Sequence, residues 1–271
     1  MRRVPAAVLT GILALGAGSA TAGPWGRPRG GVYAKTSYAY LHATDLATPD
    51  GTIASIPAFG KNEASLYVAY GLSDRVTLVL DAIAYRQSGI EGFDSAGGVG
   101  DVRVGVQARV GRAGPWVFAA RGTLQAPTGD ETRGEGLLPS GSGVWEGDLV
   151  ASAGRSFGRG QGWLFVEAGP QFRGGGLREG LVYGAQVGWR RGRVLFMANL
   201  RGVQPWDSTP GDASAGSAAG LGDGVTYLAV GPSVAVEVGR GLGIQVDLDG
   251  ATHARNLARG PTLRVGLYWS R

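Results

Sequence analysis

In the stretch "DVRVGVQARV", Asp101, Arg103, Gly105, Gln107 and Arg109 fall on one side and Val102, Val104, Val106, Ala108 and Val110 on the other. Successive side chains of a strand point to opposite faces, so this is a strand with one polar and one apolar face. Windows of this kind recur at 31–43, 62–72, 75–87, 99–110, 115–125, 146–157, 163–173, 179–190, 193–204, 223–238, 243–255 and 261–270. They number about twelve, and even strand numbers are the rule in bacterial membrane barrels. Most reach roughly 9–11 residues, enough to cross a bilayer at a tilt. Long helices are disfavoured, because 50 of 271 residues are glycine and each costs about 1 kcal/mol in a helix.

The connectors alternate in length. "GLSDR", "GRAG", "GRGQG", "RRGR" and "GRGLG" are tight turns. Between them come "TDLATPDGTIASIPAFGK", "SGIEGFDSAGG", "APTGDETRGEGLLPSGSGV", "GGGLRE", "PWDSTPGDASAGSAAGLG" and "NLARG", of which four are long. Short periplasmic turns and long extracellular loops are the asymmetry of an outer-membrane barrel. A soluble sandwich also alternates, because period two alone does not say which face is buried. The tryptophans favour the barrel. Trp116 and Trp163 follow short turns, Trp189 precedes one and Trp269 ends the last strand, as in an interfacial girdle, although Trp163 shares the parity of Glu167. Trp145 and Trp206 border long loops. Tyr85 takes the polar side with Thr77 and Asp81.

The first residues, "MRRVPAAVLTGILALGAGSATAG", read as a secretory signal: Arg2 and Arg3, an apolar Ala6–Gly18, and cleavage after Ala20-Thr21-Ala22. The expected organisation is therefore a leader over 1–22 and one all-β domain over 23–271, an antiparallel transmembrane β-barrel. With no cysteine, disulfides, thiolate chemistry and lipid attachment at cysteine are excluded. The net charge of +5 is spread out, with no basic cluster to suggest nucleic-acid binding. A mean hydropathy of +0.01 suits a chain that is half lipid face and half wet lumen.

On this reading the valines of the opening strand face lipid. The polar faces then supply the candidate lumen or mouth residues. On the middle strands these are Asp101, Arg103, Gln107, Arg109, Arg121, Glu146, Asp148 and Glu167. The later strands add Arg173, Arg190, Arg201, Asp223, Glu237, Asp247, Asp249 and Arg264. Gly-Asp opens three strands, at Gly100-Asp101, Gly147-Asp148 and Gly222-Asp223. The structural reading pairs these aspartates with arginines such as Arg103, Arg121 or Arg201. The functional reading is a carboxylate ring at the outer mouth that biases entry toward cations or binds a metal. Mixed signs favour ion pairs across a narrow, partly filled lumen. The two histidines, His42 and His253, lack a convincing serine partner, so no catalytic, metal or cofactor residue is assigned.

"YGLSDRVTL" at 70–78, "GVGDVRVGVQARV" at 98–110 and "LQAPTGD" at 124–130, followed by "EAGPQF" at 167–172 and "VGPSVAVEVG" at 230–239, resemble the outer-membrane transporter-like family labelled MetA-pathway of phenol degradation. The resemblance implies a barrel and passage of aromatic or other hydrophobic compounds. One departure is the end, "LYWSR", where such barrels usually finish on an aromatic. The expected function is a passive channel or transporter for small hydrophobic or aromatic compounds in a Gram-negative outer membrane. Its partners would be membrane lipid, those solutes and the barrel-assembly machinery. Alternatives are a closed structural or surface-interaction barrel acting through its loops, a secreted soluble β protein, or an outer-membrane enzyme.

Overall fold

A computed structural model describes residues 23–93, 95–130, 138–207, 209 and 215–271. The strands in these residues are β1 (Val32–Ala47), β2 (Ile53–Gly71), β3 (Val76–Ile90), β4 (Ala96–Gly98), β5 (Val102–Ala113), β6 (Trp116–Ala126) and β7 (Glu146–Phe157), then β8 (Gly162–Arg173), β9 (Gly180–Arg191), β10 (Val194–Pro205), β11 (Thr226–Gly239), β12 (Leu242–Arg255), β13 (Leu257–Arg259) and β14 (Thr262–Ser270). β4 and β5 both pair with β3, and β13 and β14 both pair with β1, so each couple is one interrupted stave. The wall is a closed antiparallel barrel of twelve staves. Each stave lies beside the next in chain order, and β1 closes the ring by pairing with both β2 and β14.

The polar faces point inward and the apolar faces outward. Val104 and Val106 are 51% and 48% exposed, while Gln107 is buried. Exposed apolar residues line up across neighbouring staves: Val236 faces Ile244, which faces Leu267, and Val234 faces Val246, which faces Val265. A contiguous apolar band of this kind is unfavourable in water and suits hydrocarbon. Lys35, Gln186, Gln245 and Asp247, by contrast, are buried in the interior. The soluble-sandwich alternative needs the opposite arrangement.

Three placements differ from the sequence reading. The register slips between β2 and β3, where Ala64 and Ser65 oppose Tyr85 and Ile83. Ala84 is the extra residue of a bulge, and it shifts the parity of everything after it. Tyr85 therefore faces outward, exposed, and Arg86 faces in. Trp163 belongs to the lumen, where its indole N–H donates to Gln186 Oε1 at 2.9 Å. The long connector after β1 is largely strand, because β1 and β2 continue as a hairpin whose tip is Thr48–Thr52.

At the short-turn end, Trp116, Trp189 and Trp269 mark the edge of the apolar band. Trp189 lies 5.8 Å from Phe157, ring centre to ring centre. Trp145 and Trp206 stand exposed at the other end.

Candidate functional site: the barrel lumen

The inner end is filled by the segment before β1. Gly23–Trp25 form one turn of 3₁₀ helix, and the chain then crosses beneath the lumen into β1. Its contacts come from distant strands. Gln107 Nε2 donates to the Gly23 carbonyl at 2.7 Å, and the Arg27 N–H donates to Thr77 Oγ1 at 2.8 Å. The Arg27 guanidinium lies 4.7 Å from the centre of the Tyr33 ring. Trp25 meets Phe165 edge-on at 6.3 Å. Gly154 leaves the space for this, because a Cβ there would lie 2.8 Å from both Pro24 Cγ and Phe165 Cβ. Around the segment, Tyr33, Tyr67 and Tyr268 join Leu195 and Met197 in an apolar cluster inside the barrel.

Above that cluster the lumen is charged. Neighbouring strands are only about 4.8 Å apart, so a long side chain on one stave reaches over the next to the second. Five pairs do this. Lys35 on β1 meets Asp247 on β12 at 3.2 Å, crossing β14. Arg103 meets Asp148 at 3.2 Å over β6, and Arg121 meets Glu167 at 3.3 Å over β7. Arg190 meets Glu237 at 3.1 Å over β10, and Arg201 meets Asp249 at 2.9 Å over β11. Lys35 passes close above Gly266, where a Cβ would lie 2.7 Å from Lys35 Cε. Adjacent staves add Arg86 with Glu63 at 2.9 Å, Arg173 with Glu146 at 2.9 Å and Arg264 with Asp249 at 3.8 Å. Charge is thus neutralised locally, which lowers the cost of holding it in a narrow interior.

Two loops fold into the outer mouth. Asp101 fastens the one between β6 and β7: its carboxylate accepts from the N–H of Gly129 at 3.0 Å and of Ser142 at 2.7 Å, and from Gln125 Nε2 at 3.2 Å. Arg86 donates to the Ser140 carbonyl at 2.9 Å. The loop before β11, which includes a short helix, α1 (Ala215–Ala218), lies over the lumen. Arg173 donates to the carbonyls of Leu221 and Gly222, both at 3.2 Å, and Lys61 Nζ to that of Ala219 at 3.2 Å. Leu138, Ala219, Phe59, Ala43 and Ala258 bury one another there.

Between the two closures lie hollow spaces. One of about 290 Å³ touches Lys35, Glu63, Phe165, Arg201 and Asp247. One of about 350 Å³ nearer the mouth touches Asp101, Arg103, Glu146, Arg173 and Leu221. A third, of about 240 Å³, reaches the wall at Asp249, Gly250, Ala251 and Gly260.

At that point the wall is incomplete. The last rung between β12 and β14 is Asp249 with Thr262. Beyond it the chain turns at Asn256, with φ of 54°, and returns as β13, which pairs with β1 and not with β12. A hollow of about 460 Å³ on the outer surface shares Asp249, Gly250, Ala251 and Gly260 with the inner one, and also touches Val230, Leu248 and Pro261.

The sixteen sequence candidates occupy distinct places. Arg103, Arg121, Glu146, Asp148, Glu167, Arg173, Arg190, Arg201, Glu237, Asp247, Asp249 and Arg264 make the lumen ion pairs. Gln107 holds the inner segment, and half-buried Arg109 lies at the short-turn end, its N–H donating to the Arg75 carbonyl. Asp101 and Asp223 do not form a carboxylate ring with Asp148. Both precede their strands, Asp101 binding loop amides and Asp223 pairing with Arg178 at 3.3 Å. His42 and His253 are exposed on the outside, His42 stacked on Tyr40. Lys35, Glu63, Arg86 and Lys61 lie outside the sequence candidates. The parity of β2 would have found Glu63 and Lys61, but the Ala84 bulge conceals Arg86.

No family model and no curated protein matches this chain. Among solved structures it is similar to the COG4313 outer membrane channel from Pseudomonas putida F1, at 17% identity and a TM-score of 0.66, covering 90% of this chain and 96% of that one. It is also similar to the KdgM porin, at 8% identity and 0.52, covering 87% and 99%. The translocator domain of the autotransporter NalP from Neisseria meningitidis matches at 13% identity and 0.50, covering 90% and 89%. These likenesses are of fold.

Proposed function

We propose that this chain is an outer-membrane channel that passes small apolar or aromatic solutes passively, its short turns in the periplasm and residues 1–22 a leader removed on export. The outward apolar band, the wet charged interior and the asymmetry of turns and loops support insertion in that membrane. The resemblance to the family labelled for phenol degradation supports the solute class. One observation carries the route, namely the unpaired seam between β12 and β13. The axial path is occupied at one end by Gly23–Arg27 and at the other by the folded loops. The seam joins the lumen to the lipid face, and its outer lip is Val230 and Leu248. An apolar solute passes there between interior and bilayer, while ions meet the paired charges within. Arg201, Asp249 and Arg264 border the passage inside, and the remaining pairs hold the wall's shape.

Gly250 is the place to test this route. A Cβ built there meets only the Gly260 carbonyl, at 4.0 Å, so a large side chain has room to enter the gap. Gly250→Trp should reduce uptake of a small aromatic solute by liposomes carrying the barrel several-fold and leave ion conductance unchanged. Equal solute flux in the two proteins would remove the seam from the mechanism.

A further inference from the structure

Exposed charge on this barrel is segregated by end. Among the described residues, every exposed arginine or lysine except the lumen-facing Arg201 lies at the short-turn end. The five short turns carry Arg75, Arg112, Arg159, Arg191, Arg193 and Arg240. Arg29 precedes β1 and Arg271 follows β14 at the same level. One exposed carboxylate, Asp74, accompanies them, and it already accepts the Arg29 N–H at 3.2 Å. The other exposed carboxylates, Asp50, Glu91, Asp130, Glu179 and Asp207, are at the opposite end.

Turn geometry does not account for these arginines. Arg159 and Arg240 have φ of 58° and 53°, a left-handed conformation that glycine or asparagine adopts at less cost. Both turns are otherwise rich in glycine, "GRGQG" and "GRGLG". The side chain itself is what these positions supply. No lysine joins the ring, and a planar guanidinium is the group that grips phosphate oxygens two at a time.

The ring runs around the whole circumference, one turn after another, just beyond the aromatic edge of the apolar band. Arg155 links the two levels, its guanidinium 5.8 Å from the centre of the Trp116 ring. A globular partner covers one patch, whereas a belt of headgroups meets every turn. We propose that this arginine ring binds the phosphates of anionic phospholipids in the inner leaflet of the outer membrane. The proposal rests on insertion of the apolar band in a bilayer, not on the solute route.

The test is native mass spectrometry of the detergent-purified barrel with equal amounts of phosphatidylglycerol and phosphatidylethanolamine. The bound lipid should be enriched in phosphatidylglycerol. Replacing Arg75, Arg112, Arg159, Arg191, Arg193 and Arg240 by Gln should erase the enrichment, and replacing them by Lys, which keeps the charge but not the two-pronged grip, should keep only part of it. A single Gln should lower the preference by up to about fivefold. Heat-modifiable gel mobility reports folding of each variant. The double change Arg159→Gly and Arg240→Gly suits the turn backbone and must also lower the enrichment. Equal binding of both lipids by the parent, or enrichment that survives the six Gln changes, overturns the proposal. Preferential capture of a soluble acidic protein without lipid enrichment overturns it as well. A parent that stays soluble without detergent overturns membrane insertion instead.

Discussion

Neighbouring residues on one stave of this barrel have opposite tolerances. Val104 faces the apolar exterior, so Val104→Arg should cost about 2–4 kcal/mol near the midplane, read as a lower urea midpoint for folding into liposomes. Arg103 is one position away and faces Asp148 and Glu146 at 3.2 and 3.7 Å. Arg103→Gln should cost about 1 kcal/mol or less of folding stability, since Glu146 keeps Arg173 at 2.9 Å and Asp148 keeps the Thr123 hydroxyl at 2.9 Å, and should change ion conductance instead. At the tip of the β1–β2 hairpin, Asp50 accepts from the Thr48 hydroxyl and from Thr52, which holds its carboxyl down at about 2. A depressed value means that these bonds favour the folded turn above the ordinary carboxylate range and lose that effect as pH falls toward 2. A pH titration of the Thr52 amide resonance should therefore have a midpoint near 2, and a midpoint near 4 would show that the turn does not hold the carboxylate. The strand parity that separates Val104 from Arg103 was legible in the sequence. The facing of Tyr85 was not, because a one-residue bulge leaves no mark in composition.

The inner segment is the element that occupies the short-turn end of the lumen. Gly23–Arg27 is held by Gln107, Thr77 and Phe165 from three staves. Removing these residues from the exported chain should raise single-channel conductance several-fold in planar bilayers, and Gln107→Ala should produce a smaller rise. Unchanged conductance after the deletion would mean that the constriction lies elsewhere, at the tyrosine cluster or the outer loops. Nothing in "GPWGRPRG" announces this role. The stretch has no period, and its partners lie 50 and 84 positions away, so only the closed wall brings them together. The loop before β11 poses the same difficulty. Its small residues read only as a long connector, yet Arg173 and Lys61 draw its carbonyls into the mouth.

At the scale of the whole molecule, the strand count, the facing of the polar rows and the alternation of short and long connectors all followed from local pattern, since each stave pairs with its neighbour in the chain. The lumen ion pairs were legible as a set of charges but not as partners, because most of them skip a stave. The seam was hidden for a related reason. It depends on β13 choosing β1 over β12, and three residues carry too little pattern to declare a partner. The pairing of β1 with β14 breaks the rule of local pairing. Tyr33 opposes Ser270, and the Val32 N–H and Arg271 carbonyl meet at 2.9 Å. Every other boundary of the wall joins staves that follow one another in the sequence, whereas this one, made by β1 with β13 and β14, joins staves far apart in it. Once it has formed, the wall has no first or last strand. A chain opened at another short turn would trace the same closed wall.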